Sequence, residues 1–153
     1  MTPRSQILRR GARTIAGSAM LVLAGCTMMG SSSGANTIGV SASLSAAAEV
    51  PPNASSATGS LQGSYNKDSK LLSWKLVYSG LSGPATMAHF HGPAMAGQNA
   101  GVVVPLTNPA SAVESSATLT EAQAADLLAG KWYINVHTAA NPGGEIRGQV
   151  LIK

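Results

Sequence analysis

The sequence predicts an all-β domain, an antiparallel sandwich or barrel carrying one short helix, behind a removable N-terminal segment. Three observations support this. From residue 37 onward apolar side chains recur at every second position in short runs. Clusters of Gly, Pro, Ser and Asn separate those runs, and only residues 120–129 have the composition of a helix.

The chain opens with Arg4, Arg9, Arg10 and Arg13 and no acidic residue, followed by an apolar stretch from Ile15 to Ala24 broken only by Gly17 and Ser18. A spanning helix needs about 20 apolar residues, so this stretch is too short and reads as the hydrophobic region of a signal peptide. It ends Leu23-Ala24-Gly25-Cys26, which resembles the lipobox of bacterial lipoproteins. That resemblance implies cleavage before Cys26 and acylation of its thiol by chains such as palmitate. It also accounts for a lone cysteine, which can form no internal disulfide. Each buried CH₂ contributes about 0.8 kcal/mol, so two or more chains hold a protein stably on a membrane. Thr27, where aspartate would resemble an inner-membrane retention signal, points to the outer membrane of a Gram-negative envelope, facing the periplasm. The expected organisation is a signal peptide at 1–25, a tether at 26–36 and a β domain at 37–153.

Cleavage removes all four of those arginines and leaves six basic against six acidic side chains, a net charge of zero. The formal +4 therefore belongs to the signal peptide, and the mature chain has no basic footprint for nucleic acid. The tether, with MMGSSSGAN over residues 28–36, is rich in Gly and Ser and uncharged, as a flexible linker is.

In the domain, Ile38, Val40, Ala42 and Leu44 alternate with small polar residues, and Leu61, Gly63 and Tyr65 do so weakly ahead of an Asn66–Lys70 turn. Leu72, Trp74, Leu76 and Tyr78 form the next alternation. Residues 85–91 and 102–106 read as further strands. Trp132, Ile134 and Val136 alternate with Tyr133, Asn135 and His137, and after Pro142-Gly143-Gly144 a last strand runs through Ile146, Gly148, Val150 and Ile152. The helix has Thr120 as N-cap, Gln123 three residues on as in a capping box, and Gly130 as its stop. Its Ala- and Leu-rich side is expected to pack across one end of the β structure.

Two segments stand out from this plain background: AHFHGPA at 88–94 and YINVHTAANPGGEIRGQ at 133–149. With Glu49-Val50-Pro51-Pro52, the Gly-Leu-Ser-Gly of 80–83 and Leu119-Thr120, they resemble the CHRD domain, named after chordin and found in many bacterial exported proteins. The resemblance spans about residues 38–152. It implies an immunoglobulin-like or superoxide-dismutase-like β fold, and little settled bacterial function.

The residues themselves point further. Side chains on a strand repeat every two residues, so His89 and His91 share a face while Phe90 turns to the core. All three histidines of the protein lie in the two distinctive segments. If the strand of His137 pairs near that of His89 and His91, three imidazoles converge on a site suited to copper or, as the alternative, zinc. The His-x-His pair is similar to the copper-binding strand of copper–zinc superoxide dismutases. This chain lacks that family's fourth histidine, bridging-histidine loop and disulfide, so dismutase activity is not expected. Met87 falls on the histidine face, and Met95 follows Gly92-Pro93. A thioether ligand would favour Cu(I), but a methionine on a strand ordinarily fills the core, and that is the expectation for Met87.

Glu145 and Arg147 flank Ile146 and are expected to form an ion pair. The alternative is that Glu145 holds a histidine N–H and Arg147 orients an anion around the site. No Ser/His/Asp or Cys/His set offers covalent catalysis, the carboxylates are scattered singly, and there is no phosphate-cradling glycine loop. The reading is therefore a lipid-anchored binding protein taking copper through His89, His91 and His137. Two others stand beside it: a structural or adhesion scaffold of the envelope, in which the histidines staple loops, and a copper-dependent oxidoreductase. Convergent histidine nitrogens favour a metal role; separated, outward rings favour the scaffold.

Overall fold

The computed structural model describes residues 36–153. The expected signal peptide, the expected lipidation site Cys26 and the expected tether up to residue 35 lie outside the described residues.

Nine strands and one α-helix follow in the order β1 (Thr37–Ser45), β2 (Thr58–Asn66), β3 (Leu71–Ser79), β4 (Ala85–His91), β5 (Val102–Pro105), β6 (Val113–Thr118), α1 (Glu121–Leu128), β7 (Tyr133–Thr138), β8 (Ile146–Gln149) and β9 (Leu151–Ile152). They form one antiparallel sheet in the order β5-β4-β7-β8-β1-β2-β3-β6, with β9 also on β1. The sheet curls into a nearly closed barrel. The expected all-β class with one helix is the class observed.

Hairpin β1–β2 is in register from Thr37↔Asn66 to Ser45↔Thr58, and β2–β3 continues it from Asn66↔Leu71 to Thr58↔Ser79. At the β2–β3 turn the Asn66 side-chain oxygen accepts from the backbone N–H groups of Asp68 (3.0 Å) and Ser69 (2.9 Å). This is the local bonding for which Asn is favoured in turns. The period-two apolar positions meet inside: Val40, Ala42 and Leu44 of β1, Leu61 and Tyr65 of β2, Leu72, Trp74 and Leu76 of β3 are all buried. Phe90 lies between Trp74, edge-on at 5.0 Å between ring centroids, and Trp132, tilted at 5.8 Å. Burying side chains of this size contributes about 1.5–3 kcal/mol each in transfer terms.

Two boundaries differ from expectation. The strand expected through Ile146–Ile152 is interrupted at buried Val150, whose N–H donates to the Trp132 carbonyl at 2.8 Å, after which β9 crosses to pair with β1. Strand β6 has no counterpart in the sequence reading. Its VESSAT sequence edges the sheet beside β3, with Glu114 3.6 Å from Lys75 across the pair. An edge strand with hydroxyl and charged side chains carries no apolar alternation to read.

Helix α1 covers one end of the core with Ala124 and Leu127, and the Gln123 amide donates to the Val103 carbonyl at 3.1 Å. Its capping box is complete: the Thr120 hydroxyl accepts from Gln123 N–H at 3.2 Å, and the Gln123 side-chain oxygen accepts from Thr120 N–H at 2.9 Å. Replacing Thr120 by alanine should lower unfolding free energy by about 0.5–2 kcal/mol, measured in urea, with metal uptake unaltered. A loss of uptake at unchanged stability would place the helix in the site.

Candidate metal centre

The site grows from the register of three adjacent strands. Across β4 and β7, Met87 faces His137, His89 faces Asn135 and His91 faces Tyr133; across β7 and β8, Asn135 faces Arg147 and Tyr133 faces Gln149. The alternate residues Ala88, Phe90, Ile134, Val136 and Ile146 supply the apolar core. One face of β4-β7-β8 is thus apolar and the other polar. Both are covered, and every residue of β7 is buried.

The three histidines come together as the spacing predicts. One ring nitrogen from each of His89, His91 and His137 lies within 4.8 Å of the others. His91 and His137 are buried, and His89 is half-buried. The Nδ1 of His91 lies 3.0 Å from the Ala100 carbonyl oxygen, and the Nδ1 of His137 2.9 Å from that of Pro142. A carbonyl only accepts, so each Nδ1 carries the hydrogen and donates it; in the neutral ring Nε2 keeps its lone pair. Metal-ligating histidines are oriented in this way, by a backbone acceptor on the distal nitrogen. His89 Nδ1 sits 3.2 Å from His137 Nε2. Burial holds His89 below the usual histidine range, helped by His137 and His91 nearby. Burial also lowers His91, against the hydrogen bonds a charged ring would donate to the Ala100 and Asn135 oxygens and with added repulsion from His137 and Arg147. Both effects favour the neutral, ligating form.

Asn135 is the residue that the sequence reading passed over. Its Oδ1 lies 3.0 Å from His91 Nε2 and 2.9 Å from His137 Nε2, and the residue is only 3% exposed. The same period-two logic that pairs His89 with His91 pairs Asn135 with His137. Behind Asn135 stands Glu49, also buried. Burial raises the Glu49 carboxyl to about 7, against the attraction of Arg147 and the hydrogen bonds from Val50 and Asn135. Glu49 Oε1 has no hydrogen-bond partner. Gly144 makes the packing possible: a Cβ there would fall 2.3 Å from Glu49 Oε1 and 2.8 Å from Asn135 Nδ2.

Arg147 and Glu145 do not pair, contrary to expectation. Arg147 lies over the Tyr133 ring, 3.4 Å from its centroid, and Tyr133 stacks on His91 at 4.7 Å with the rings parallel to within 1°. Its guanidinium donates to Asn99 Oδ1 at 2.9 Å and to the Gln98 carbonyl, fastening the 92–101 loop over the site. Glu145 accepts four hydrogen bonds, from Ser55 Oγ (2.7 Å), Ser82 N–H (2.8 Å), Ser82 Oγ (2.6 Å) and Thr138 Oγ1 (2.6 Å). Each of the two is thus committed to other partners, and Glu145 ties Ser55, Ser82 and Thr138 together rather than holding a histidine N–H. Met87 is 46% exposed and Met95 56%, so neither fills the core as expected for Met87.

The family model for the CHRD domain matches residues 40–150, most of the chain. The chain belongs to the CHRD domain family. No curated protein and no solved structure matches it. In this CHRD domain the distinctive segments meet in space: Glu49 from the first, Ser82 from the second, the histidine pair from the third, and His137, Glu145 and Arg147 from the last.

Glu145 generates a pH prediction. Burial works against its charge, but the donors from Ser82, Thr138 and Ser55 together outweigh burial and bring the carboxyl down to about 2. A carboxyl lowered in the folded state stabilises that state above its unfolded pKa, and the contribution fades as pH falls from about 4.5 to about 2. The loss should be on the order of 3 kcal/mol. Urea unfolding of the wild type across that window should show it, and Glu145→Gln, already less stable at neutral pH, should show a markedly flatter profile. Equal slopes would mean that the hydroxyl cluster does not hold the charge.

Proposed function

We propose that this CHRD domain is a metal-binding protein that takes copper, before zinc, through His89, His91 and His137. Its role is binding or homeostasis at the cell envelope, where a lipid on Cys26 tethers it to the membrane. The observation that supports this best is the convergence of three imidazoles within 4.8 Å, two with Nδ1 committed to backbone carbonyls and Nε2 left as ligand. Convergent rings are what a metal role requires and what a loop-stapling role does not. Imidazole suits both ions, and among divalent first-row ions copper binds a given nitrogen site most tightly. The lipobox-like Leu23–Cys26 and the neutral mature charge support the envelope address. A Cys26→Ser variant that still matured and fractionated with membranes would remove the lipid tether.

The scaffold reading has one observation in its favour: His91, Asn135 and His137 are close enough to form a closed polar cluster without an ion. Copper titration decides between the two. Alanine at His89, His91 or His137 should each weaken copper binding by more than about tenfold, in protein whose circular dichroism remains that of a folded β domain. If all three variants bind copper as the wild type does, the trio is structural and the scaffold reading takes its place.

A further inference from the structure

We propose that the Asn135 side-chain oxygen is a fourth ligand, making the site an N₃O set built for a divalent ion in tetragonal geometry. The inference rests on the metal-binding reading above and deepens it, from a histidine trio to a defined donor set and oxidation state.

Hydrogens are counted first. Both atoms that His91 and His137 turn toward Asn135 are Nε2, and both rings have spent their Nδ1–H on the carbonyls of Ala100 and Pro142. A neutral ring has no second hydrogen to give. Two bare nitrogens therefore face an amide oxygen, which is also an acceptor, in a place almost sealed from water. Three lone-pair donors directed at one another without a hydrogen between them is the arrangement that a cation satisfies.

The amide orientation has a cause outside the trio. Glu49 lies behind Asn135: its Oε1 and the Asn135 Nδ2 both border Gly144, where a Cβ would fall 2.3 and 2.8 Å from them. With Nδ2 on the side of the buried Glu49 carboxyl, Oδ1 is turned toward the histidines, which makes Glu49 a positioning residue. Gly144, with φ +131° and no side chain, leaves the space in which the carboxyl and the amide nitrogen meet.

The spacings then choose the geometry. From His91 Nε2 to Asn135 Oδ1 is 3.0 Å, from there to His137 Nε2 2.9 Å, and from there to His89 Nδ1 3.2 Å. Neighbouring ligands at right angles, each about 2.0–2.1 Å from an ion, stand about 2.9 Å apart; tetrahedral ones stand about 3.4 Å apart. The two separations that involve Asn135 Oδ1 lie at the right-angle value, and the His137–His89 separation falls between the two values. Tetragonal sites of nitrogen and oxygen suit Cu(II), whereas Cu(I) selects soft sulfur. The two methionines near the histidine segments, Met87 and Met95, are 46% and 56% exposed and are not needed for this set.

The test compares Cu(II) and Cu(I) binding by the full mature chain, as wild type and as Asn135→Ala, Asn135→Asp and His137→Ala. Asn135→Ala should weaken Cu(II) about 10–100-fold and leave Cu(I) unchanged, and Asn135→Asp, which keeps an oxygen in place, should restore Cu(II) binding. If Asn135→Ala holds Cu(II) as the wild type does while His137→Ala does not, the amide ligand is wrong and the histidine site stands. If His137→Ala also binds as the wild type, the metal-binding reading itself has failed. Should Asn135→Ala not fold, a crystal of the wild type soaked in Cu(II) decides. An Oδ1 about 2.0–2.2 Å from the ion supports the proposal, and one outside bonding distance overturns it.

Discussion

A strand buried on both faces must find partners for every polar group it carries, and β7 carries Tyr133, Asn135 and His137 on the face turned away from the apolar core. An unmatched buried donor or acceptor costs about 1–3 kcal/mol, a large share of the stability of a domain this size. Much of what surrounds β7 answers that constraint. The Ala100 carbonyl serves both His91 and the Tyr133 hydroxyl, Pro142 serves His137, and Arg147 lies on the Tyr133 ring while holding the 92–101 loop closed. The same loops that shield the polar face from water also fix the histidine rings, so the packing of the fold and the geometry of the site are one problem.

Two buried carboxylates show how neighbours decide charge. Glu145 is fully enclosed yet held well below the ordinary range, because burial is outweighed by hydroxyl and amide donors from three segments. Glu49, also buried, has an oxygen without a partner, and burial wins over Arg147 to raise it to about 7. Glu145 therefore acts as a charged staple among Ser55, Ser82 and Thr138. Glu49 is held less tightly, behind the one uncharged polar side chain that reaches two histidines. Arg147 stands between these roles: close enough to Glu49 to favour its charge, but committed through hydrogen bonds to Gln98 and Asn99.

Period two was enough to place Phe90 in the core and His89 and His91 together on the opposite face, and to set the bounds of the strand that carries them. The capping box at Thr120 and Gln123 was equally legible, because both of its bonds are local. What escaped has a common physical origin in contacts distant along the chain. Glu49 is brought to the site by the loop between β1 and β2, and nothing local marks it as buried. Asn135 falls in the expected alternation with His137, but its contacts with His91 and Glu49 come from residues distant along the chain. Edge strand β6 brings Ala117 to the core between hydroxyl side chains, too little apolar alternation to detect. Met87 went the other way: its position on the strand suggested core, but that position lies on the polar face of β4, at its exposed end.

Whether the site can take a metal depends on which nitrogens of His91 and His137 are bare. Two-bond proton–nitrogen NMR correlations of the imidazoles report this directly, in protein without metal and after addition of Zn(II) as a diamagnetic probe. Neutral rings protonated on Nδ1 in both histidines, with Zn(II) shifting Nε2 and leaving Nδ1–H in place, is the predicted result. Rings protonated on Nε2, or spectra that Zn(II) leaves unchanged, would contradict the account.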